Sequence, residues 1–212
     1  MNRSALCLCG AFGLLLNLAP AAFAASSVDV GVRGTITPSA CTPTLGQDGV
    51  IDFGKIAARD LHLDTFTALP TTTLPVGVDC EAASVYALRL TDNRAGSSAS
   101  GTIGFGLGLN NGEKLGVFDV VLSAPVADNA PITQLQSMNA GQSWLVVEEG
   151  VALPALRLAA FGKASAGVWS PVPIQQLRVQ MRVMTSIAPA QGLTLDREVP
   201  LDGSATLDLI YL

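Results

Sequence analysis

The sequence predicts an all-β fold, an antiparallel β-sandwich, and two features of the chain support this prediction. Helical periodicity is scarce, while Gly, Pro, Asn and Asp recur roughly every 8 to 15 residues and separate short apolar or alternating runs. Between Leu177 and Val183 the odd positions are apolar and the even positions are polar, which is typical of a strand with one buried face. Because no crossover helices connect the runs, we expect antiparallel pairing.

The predicted strands are the apolar or alternating runs that lie between these turn residues. One stretch, residues 125–141, has no clear strand pattern, and no linker or change of composition divides the chain after residue 24. We therefore expect one domain. The predicted strands span residues 28–37, 50–56, 73–80, 85–91, 102–109, 116–123, 143–147, 156–161, 177–186 and 206–212.

Composition and charge exclude two broad classes of protein. The chain has 212 residues, of which 49% are hydrophobic and only 14% charged, so it is too apolar for a disordered protein. Its formal charge is -5 and its 12 Lys and Arg residues form no run, so the basic surface of a nucleic-acid-binding protein is missing. We expect a globular domain with no nucleic-acid partner.

The first 24 residues resemble a secretory signal. Arg3 precedes an apolar stretch at residues 5–18, and Ala22 and Ala24 are small residues at the positions that signal peptidase requires. We expect cleavage after Ala24 and export of the mature chain. No later stretch offers the roughly 18 uninterrupted apolar residues of a membrane-spanning helix.

Two cysteines remain in the mature chain, Cys41 and Cys80, because Cys7 and Cys9 leave with the signal. In an exported protein two cysteines are expected to pair, and two buried free thiols are the alternative. A disulfide that closes a loop of this length contributes about 4 kcal/mol to stability in the chain-entropy model.

The mature N-terminus, residues 25–37, alternates between apolar and polar positions, so an extended chain would carry its apolar side chains on one face. Gly34 falls on that face and lacks a side chain, as a strand in a shallow groove would require. An ordinary first strand of the sandwich is the alternative. The apolar positions are Val28, Val30, Val32 and Ile36.

The C-terminus, residues 205–212, has the second alternating pattern, with Leu207, Leu209 and Tyr211 on one face. Ile210 and Leu212 make the opposite face apolar as well. A terminal strand with two apolar faces must be covered, since an uncovered one would aggregate. A central strand of a complete sandwich is the alternative.

Taken together, these features resemble the pilin subunits of the chaperone–usher fimbriae of Gram-negative bacteria. In that family an alternating extension with an embedded glycine precedes the first cysteine; the segments VIDFGKI and TTTLPVGVDC, and the penultimate Tyr211, also resemble family motifs. The long region between Asn93 and Pro173 and the apolar Leu212 depart from the family pattern and indicate a divergent, fimbrial-like branch. Val30, Val32, Gly34 and Ile36 lie 11, 9, 7 and 5 residues before Cys41.

The resemblance implies an incomplete immunoglobulin-like sandwich, residues 38–212, which is completed by a donor strand. Residues 25–37 would be the donor extension, and Leu207, Leu209 and Tyr211 would contact the chaperone or the donor. The implied partners are a periplasmic pilus chaperone, an outer-membrane usher and neighbouring fimbrial subunits bound head-to-tail. The implied function is a structural subunit of a surface fimbria that polymerises by donor-strand exchange and supports cell adhesion.

We find no constellation that predicts catalysis, a cofactor or a metal site. His62 lies between Asp60 and Asp64 but lacks a second imidazole or a thiolate, so a solvated loop is expected. Glu148 and Glu149 are adjacent and would face opposite ways on a strand, so they form no facing pair of carboxylates.

Two aromatic residues support an alternative function, a secreted lectin-like carbohydrate-binding module or a tip adhesin. Trp144 and Trp169 could stack on a sugar, although tryptophans of a sandwich also serve as core or rim packing. The glycine-rich run GFGLGLNNG predicts a hairpin with its turn at Asn111 and Gly112, because the lysine and helix of a phosphate-binding loop are missing.

Overall fold

The computed structural model describes residues 31, 33, 40–101 and 104–212. Three short 3₁₀ turns, Gly46–Gly49, Ala58–Asp60 and Ala190–Gly192, are the helical elements of this part of the chain. The strands are β1 (Cys41–Leu45), β2 (Thr67–Ala68), β3 (Thr72–Ser84), β4 (Tyr86–Asp92), β5 (Phe105–Gly106), β6 (Leu109–Asn110), β7 (Glu113–Lys114), β8 (Gly116–Ala127), β9 (Ala130–Pro131), β10 (Thr133–Ser137), β11 (Leu145–Val146), β12 (Leu158–Ser165), β13 (Val168–Pro171), β14 (Ile174–Ile187) and β15 (Ala205–Tyr211).

The strands form two larger antiparallel sheets. In the first, the order is β1-β3-β14-β8-β5, with β2 beside β14 and β9 beside β8. In the second, the order is β11-β10-β12-β4-β15, with β13 beside β12. The first and last strands of the described chain, β1 and β15, therefore lie at the edges of different sheets.

The core lies between the two sheets and is built from alternate residues of the long strands. Leu177 and Val179 of β14 are 0% and 1% exposed, and they share one core with Leu88 of β4 and Phe161 of β12. Arg178, between these two positions, is exposed, and Arg182, farther along β14, is half-buried. The predicted all-β antiparallel sandwich is therefore confirmed, as is the buried face of residues 177–183.

A smaller apolar cluster covers the outer face of the second sheet. Ile210 of β15 and Trp144 pack against Ala87, Leu158 and Ala160. This packing partly covers the second apolar face of the C-terminal strand, since Ile210 is half-buried while Leu212 is 49% exposed. Trp144 therefore has a packing role in the structure.

Two local predictions are wrong. Residues 50–56 form no strand, because Asp52 accepts a hydrogen bond from the Gly54 backbone (2.8 Å) and Gly54 has a φ of 62°, which together make a turn.

Residues 125–141, for which no strand was expected, contain β10. Its polar residues Gln134 and Gln136 lie on the core face, opposite the core residues Phe161 and Ala159. Because the core-facing positions of this strand are glutamines, the alternation of apolar and polar residues does not predict it.

Other predictions hold. Cys41 and Cys80 form a disulfide. The hairpin at Asn111 and Gly112 joins β6 to β7, and both turn residues have positive φ (51° and 86°), as a type I′ turn requires. Of the predicted strand at residues 28–37, only Gly31 and Arg33 are among the described residues, and neither lies in a strand. No helix in the described ranges is long and apolar enough to cross a membrane.

Candidate functional site

The C-terminal strand β15 has an open edge. It pairs with β4 from Ala205 opposite Asp92 to Tyr211 opposite Tyr86, and no other strand of the described chain pairs with it. At the two ends of this pairing, the Asn93 backbone N–H donates to the Ser204 carbonyl, and the Leu212 backbone N–H donates to the Val85 carbonyl. The residues of the C-terminal segment that bond to β4 and its flanking residues are therefore the even-numbered ones. In an antiparallel ladder the odd positions then direct their N–H and C=O groups away from β4.

The side chains at these odd positions face the core but cover it incompletely. Leu207 and Leu209 pack against the main core cluster and are only half-buried. On the neighbouring β4, Leu88 and Leu90 are 0% and 3% exposed. The core is therefore accessible to solvent along the β15 edge, where backbone hydrogen-bonding groups also point outward.

The strand β1 forms the opposite wall. It pairs only with β3 among the described strands, and Cys41 and Leu45 face the core. Pro43 lies between them on the same face and is exposed, although a residue in that position of a closed sandwich would be buried. We name the space between β1 and β15 the acceptor groove.

The acceptor groove is narrowed at one end and open at the other. At the narrow end the Cys41 backbone N–H donates a hydrogen bond to the Tyr211 hydroxyl (2.9 Å). Toward the other end a pocket of about 270 Å³ lies between Leu45 of β1 and Leu207 of β15. The two walls therefore run antiparallel. The floor of this pocket includes Leu74, Leu90, Val120, Met181 and Val183.

A second, larger space continues the groove beyond the start of β15. Its volume is about 780 Å³, and it lies between residues 51–56 and residues 193–201. We name it the end cleft. It shares Ile51, Phe53 and Leu201 with the pocket of the acceptor groove. An ion pair between Lys55 and Glu198 (2.6 Å) spans its exposed rim.

Two polar contacts anchor the wall that leads into β15. The Glu113 carboxylate accepts hydrogen bonds from the Thr194 backbone N–H (2.6 Å) and hydroxyl (2.7 Å), and these bonds lower the pKa of Glu113. Arg94 makes a two-pronged contact with Asp202 (2.7 and 2.8 Å), and this hydrogen bonding lowers the pKa of the Asp202 carboxyl.

The Glu113 contact makes stability depend on pH in a defined direction. Because the folded pKa lies below the ordinary value of 4.5, the stabilisation is complete above that value and is lost as pH falls through the folded pKa. We expect unfolding free energy, measured in urea between about pH 6 and about pH 3, to fall more steeply in the natural chain than in Glu113→Gln. Parallel pH profiles would contradict this assignment. Asp64→Asn, in an exposed loop, is the matched control.

The structure brings together some of the predicted site residues. Leu207 and Leu209 line the acceptor groove and Tyr211 lies at its narrow end, beside the disulfide. The donor residues predicted from the sequence lie outside the described residues. These are Val28, Val30, Val32, Gly34 and Ile36.

The candidates for other chemistry occupy separate positions. His62, Asp60 and Asp64 are exposed, and Glu148 and Glu149 are exposed at a turn. In the described part of the chain no group of three or more His, Cys, Asp or Glu side chains could hold a metal ion. Of the two tryptophans, Trp144 packs against the cluster of Ala87, Leu158 and Ala160, and Trp169 lies in β13 opposite Ala164.

The wall opposite β15 is not apparent from the amino-acid sequence. Leu45, Ile51 and Phe53 line the groove, yet residues 50–56 were expected to form a strand. The motif VIDFGKI marks this segment as one that resembles a family motif. It does not predict that the segment lies opposite β15, because proximity between distant parts of a chain produces no periodic pattern of apolar residues.

Comparison with known proteins finds similarity across almost the whole chain. A family model described as "Protein of unknown function (DUF1120)" matches residues 30–106, which include β1, β3, β4 and both cysteines. "Uncharacterized protein YhcF" of Escherichia coli (strain K12) is 27% identical over an alignment that is 227 residues long with its gaps. The alignment covers 92% of this chain and 94% of that protein. "Protein GltF" of the same organism is 23% identical over 239 residues, with the same coverage of each chain.

Both alignments extend well beyond residues 30–106, because each covers 92% of this chain. The disulfide adds information on location, because such bonds form and persist in oxidising compartments such as the periplasm. An exported protein of the periplasm or cell surface is therefore indicated.

Proposed function

We propose that the chain is a structural subunit of a chaperone–usher fimbria or fimbria-like surface fibre, that it polymerises by donor-strand exchange, and that it supports cell adhesion. The acceptor groove is the observation that supports this proposal. An exposed core beside an unpaired strand edge is the arrangement that an added strand completes, through main-chain hydrogen bonds and pockets for alternate side chains. The chain has no catalytic role in this proposal.

The proposed occupant in the fibre is the segment 28–36 of a second copy. Its apolar side chains lie on one face, as the pockets of a groove require, and Gly34 allows close backbone approach. Burial of the four apolar side chains would contribute on the order of 6 to 10 kcal/mol before ordering costs. Before assembly a periplasmic chaperone would lend a strand to the same groove, and an outer-membrane usher would direct the exchange.

The ends of the acceptor groove favour one orientation for the donor. Cys41 lies at the Tyr211 end, so the subunit's own N-terminal segment is attached to the domain at that end. A neighbour whose donor runs antiparallel to β15 would have its domain at the opposite end, beyond Ala205. The two attachments then lie at opposite ends of each subunit, and repetition of this head-to-tail contact produces an open filament.

Moving the donor segment to the C-terminus tests the proposal. Residues 25–38 are deleted from the mature chain, and residues 27–38 are appended after Leu212 through a short flexible linker. An appended strand would leave the Tyr211 end and return antiparallel to β15. We expect a soluble monomer with a single sharp thermal transition, whereas the natural chain aggregates or is degraded without a chaperone.

The matched control is the same rearranged chain with Gly34→Arg in the appended segment, which should behave like the uncomplemented domain. If the chain without residues 25–38 is already monomeric and equally stable, the sandwich is complete and the proposal fails. Glycan binding would then test the lectin-like alternative.

A further inference from the structure

We propose that the end cleft binds residues 37–40 of the neighbouring copy, the linker between its donor strand and its domain. Each subunit contact would then have two parts, the donor strand in the acceptor groove and the linker in the end cleft. This inference rests on the proposed function, and it assigns a partner segment to a cleft that the donor strand itself does not fill.

The first argument is continuity between the two spaces. One wall of the acceptor groove, β1, leads through a 3₁₀ turn into residues 51–56, and the other wall, β15, is preceded by residues 193–204. These same segments form the walls of the end cleft. A chain that leaves the open end of the groove in an extended conformation therefore enters the cleft without turning.

The second argument is length. The strand β15 has seven residues, whereas the donor pattern from Val28 to Ile36 spans nine, so an antiparallel donor extends past Ala205. With Val28 opposite Tyr211, every core-facing donor position lies opposite a core-facing position of the C-terminal segment. The pairs are Val28 with Tyr211, Val30 with Leu209, Val32 with Leu207, Gly34 with Ala205 and Ile36 with Gly203.

This register places the linker beside the end cleft. Ile36 would enter the pocket at the open end of the groove, which Gly203 lines. The residues that follow would lie opposite positions 202 to 199, with Pro38 opposite Leu201. Leu201 lines both the pocket and the cleft, so the change from donor to linker coincides with the change from groove to cleft.

The third argument is chemical fit. The linker sequence Thr-Pro-Ser-Ala carries no charge, so its binding leaves no buried ion unpaired. Lining residues of the cleft include Ile56, Leu61, Leu115, Ile187, Leu193 and Leu195. The cleft is also lined by the charged residues Asp52, Asp196 and Arg197, which are exposed and keep their contact with solvent. The Lys55 and Glu198 side chains at the rim are 90% and 88% exposed, and such a pair is easily displaced.

Peptide binding tests the inference. The acceptor is the full mature chain with Gly34→Arg, which cannot donate its own strand. It is refolded at low concentration together with the labelled peptide, so that the peptide can fill the open groove before the chain aggregates. Fluorescence anisotropy gives the Kd of two labelled peptides, residues 28–36 and residues 28–40, and of a third peptide in which residues 37–40 are replaced by glycine and serine. We expect the 28–40 peptide to bind at least tenfold more tightly than the other two.

Variants of the acceptor locate the effect. Leu195→Asp, which alters the cleft and leaves the groove pocket intact, should make the two natural peptides bind equally. Val168→Asp, at a 68% exposed position of β13, should leave the tenfold difference unchanged. Equal affinities for all three peptides on the unaltered cleft would overturn the inference while the proposed function stands. If no peptide binds, the proposed function fails and the inference with it.

Discussion

Gly34→Arg should abolish polymerisation of the mature chain. In the proposed register Gly34 lies opposite Ala205, on the face of the donor strand that meets the core. An arginine there must either bury an unpaired charge or hold the donor out of the groove, and either outcome removes much of the stabilisation that the donor strand supplies. Light scattering and electron microscopy of the chain released from its periplasmic chaperone should show fibres for the natural chain and no fibres for the variant.

Gly31→Arg is the matched control. It adds the same side chain to the same segment, but at an odd position, on the opposite face from the apolar residues. This variant should polymerise like the natural chain. Fibres of normal length and amount from Gly34→Arg would refute the donor-strand assignment.

The double substitution Cys41→Ala and Cys80→Ala should lower the free energy of unfolding by about 4 kcal/mol. The disulfide closes a long loop, and it also fastens β1, a five-residue edge strand whose other described pairing is with β3 alone. Urea unfolding should show the loss directly, and the midpoint of thermal unfolding should fall by about 10 °C.

Reduction of the natural chain with dithiothreitol provides the control for this substitution. It should produce the same shift, and it should leave the double variant unchanged. A loss below about 1 kcal/mol would show that β1 is held by its strand pairing and core contacts rather than by the covalent link. Since β1 is one wall of the acceptor groove, we also expect the variant to polymerise more slowly.

How well the sequence predicts a strand depends on which side chains face the core. The strands β3, β4, β8, β14 and β15 were predicted because their buried positions are apolar. In β10 Gln134 and Gln136 lie on the face of the main core, while Leu135 is fully buried on the opposite face, so the hydrophobic pattern does not reveal the strand. Residues 50–56 are apolar enough for a strand, but the Asp52 turn at Gly54 prevents one.

The candidate site divides in a similar way. Leu207, Leu209 and Tyr211 were identified because an alternating C-terminal strand is a local pattern, and the disulfide because two cysteines remain in an exported chain. The opposite wall, with Leu45, Ile51 and Phe53, depends on contacts with residues more than 140 positions later in the chain. No local pattern reports such a contact.

By itself the sequence therefore determined the fold class, the cysteine pairing and the apolar face of the last strand, since each follows from residue type and spacing along the chain. Only the tertiary structure decided that β1 and β15 lie at the edges of different sheets, and that their outward backbone groups and half-covered side chains enclose a groove. The physical reason is that a strand edge is open only when no other strand pairs with it. Whether a strand pairs there depends on the pairing of all the other strands, which no single segment of the sequence specifies.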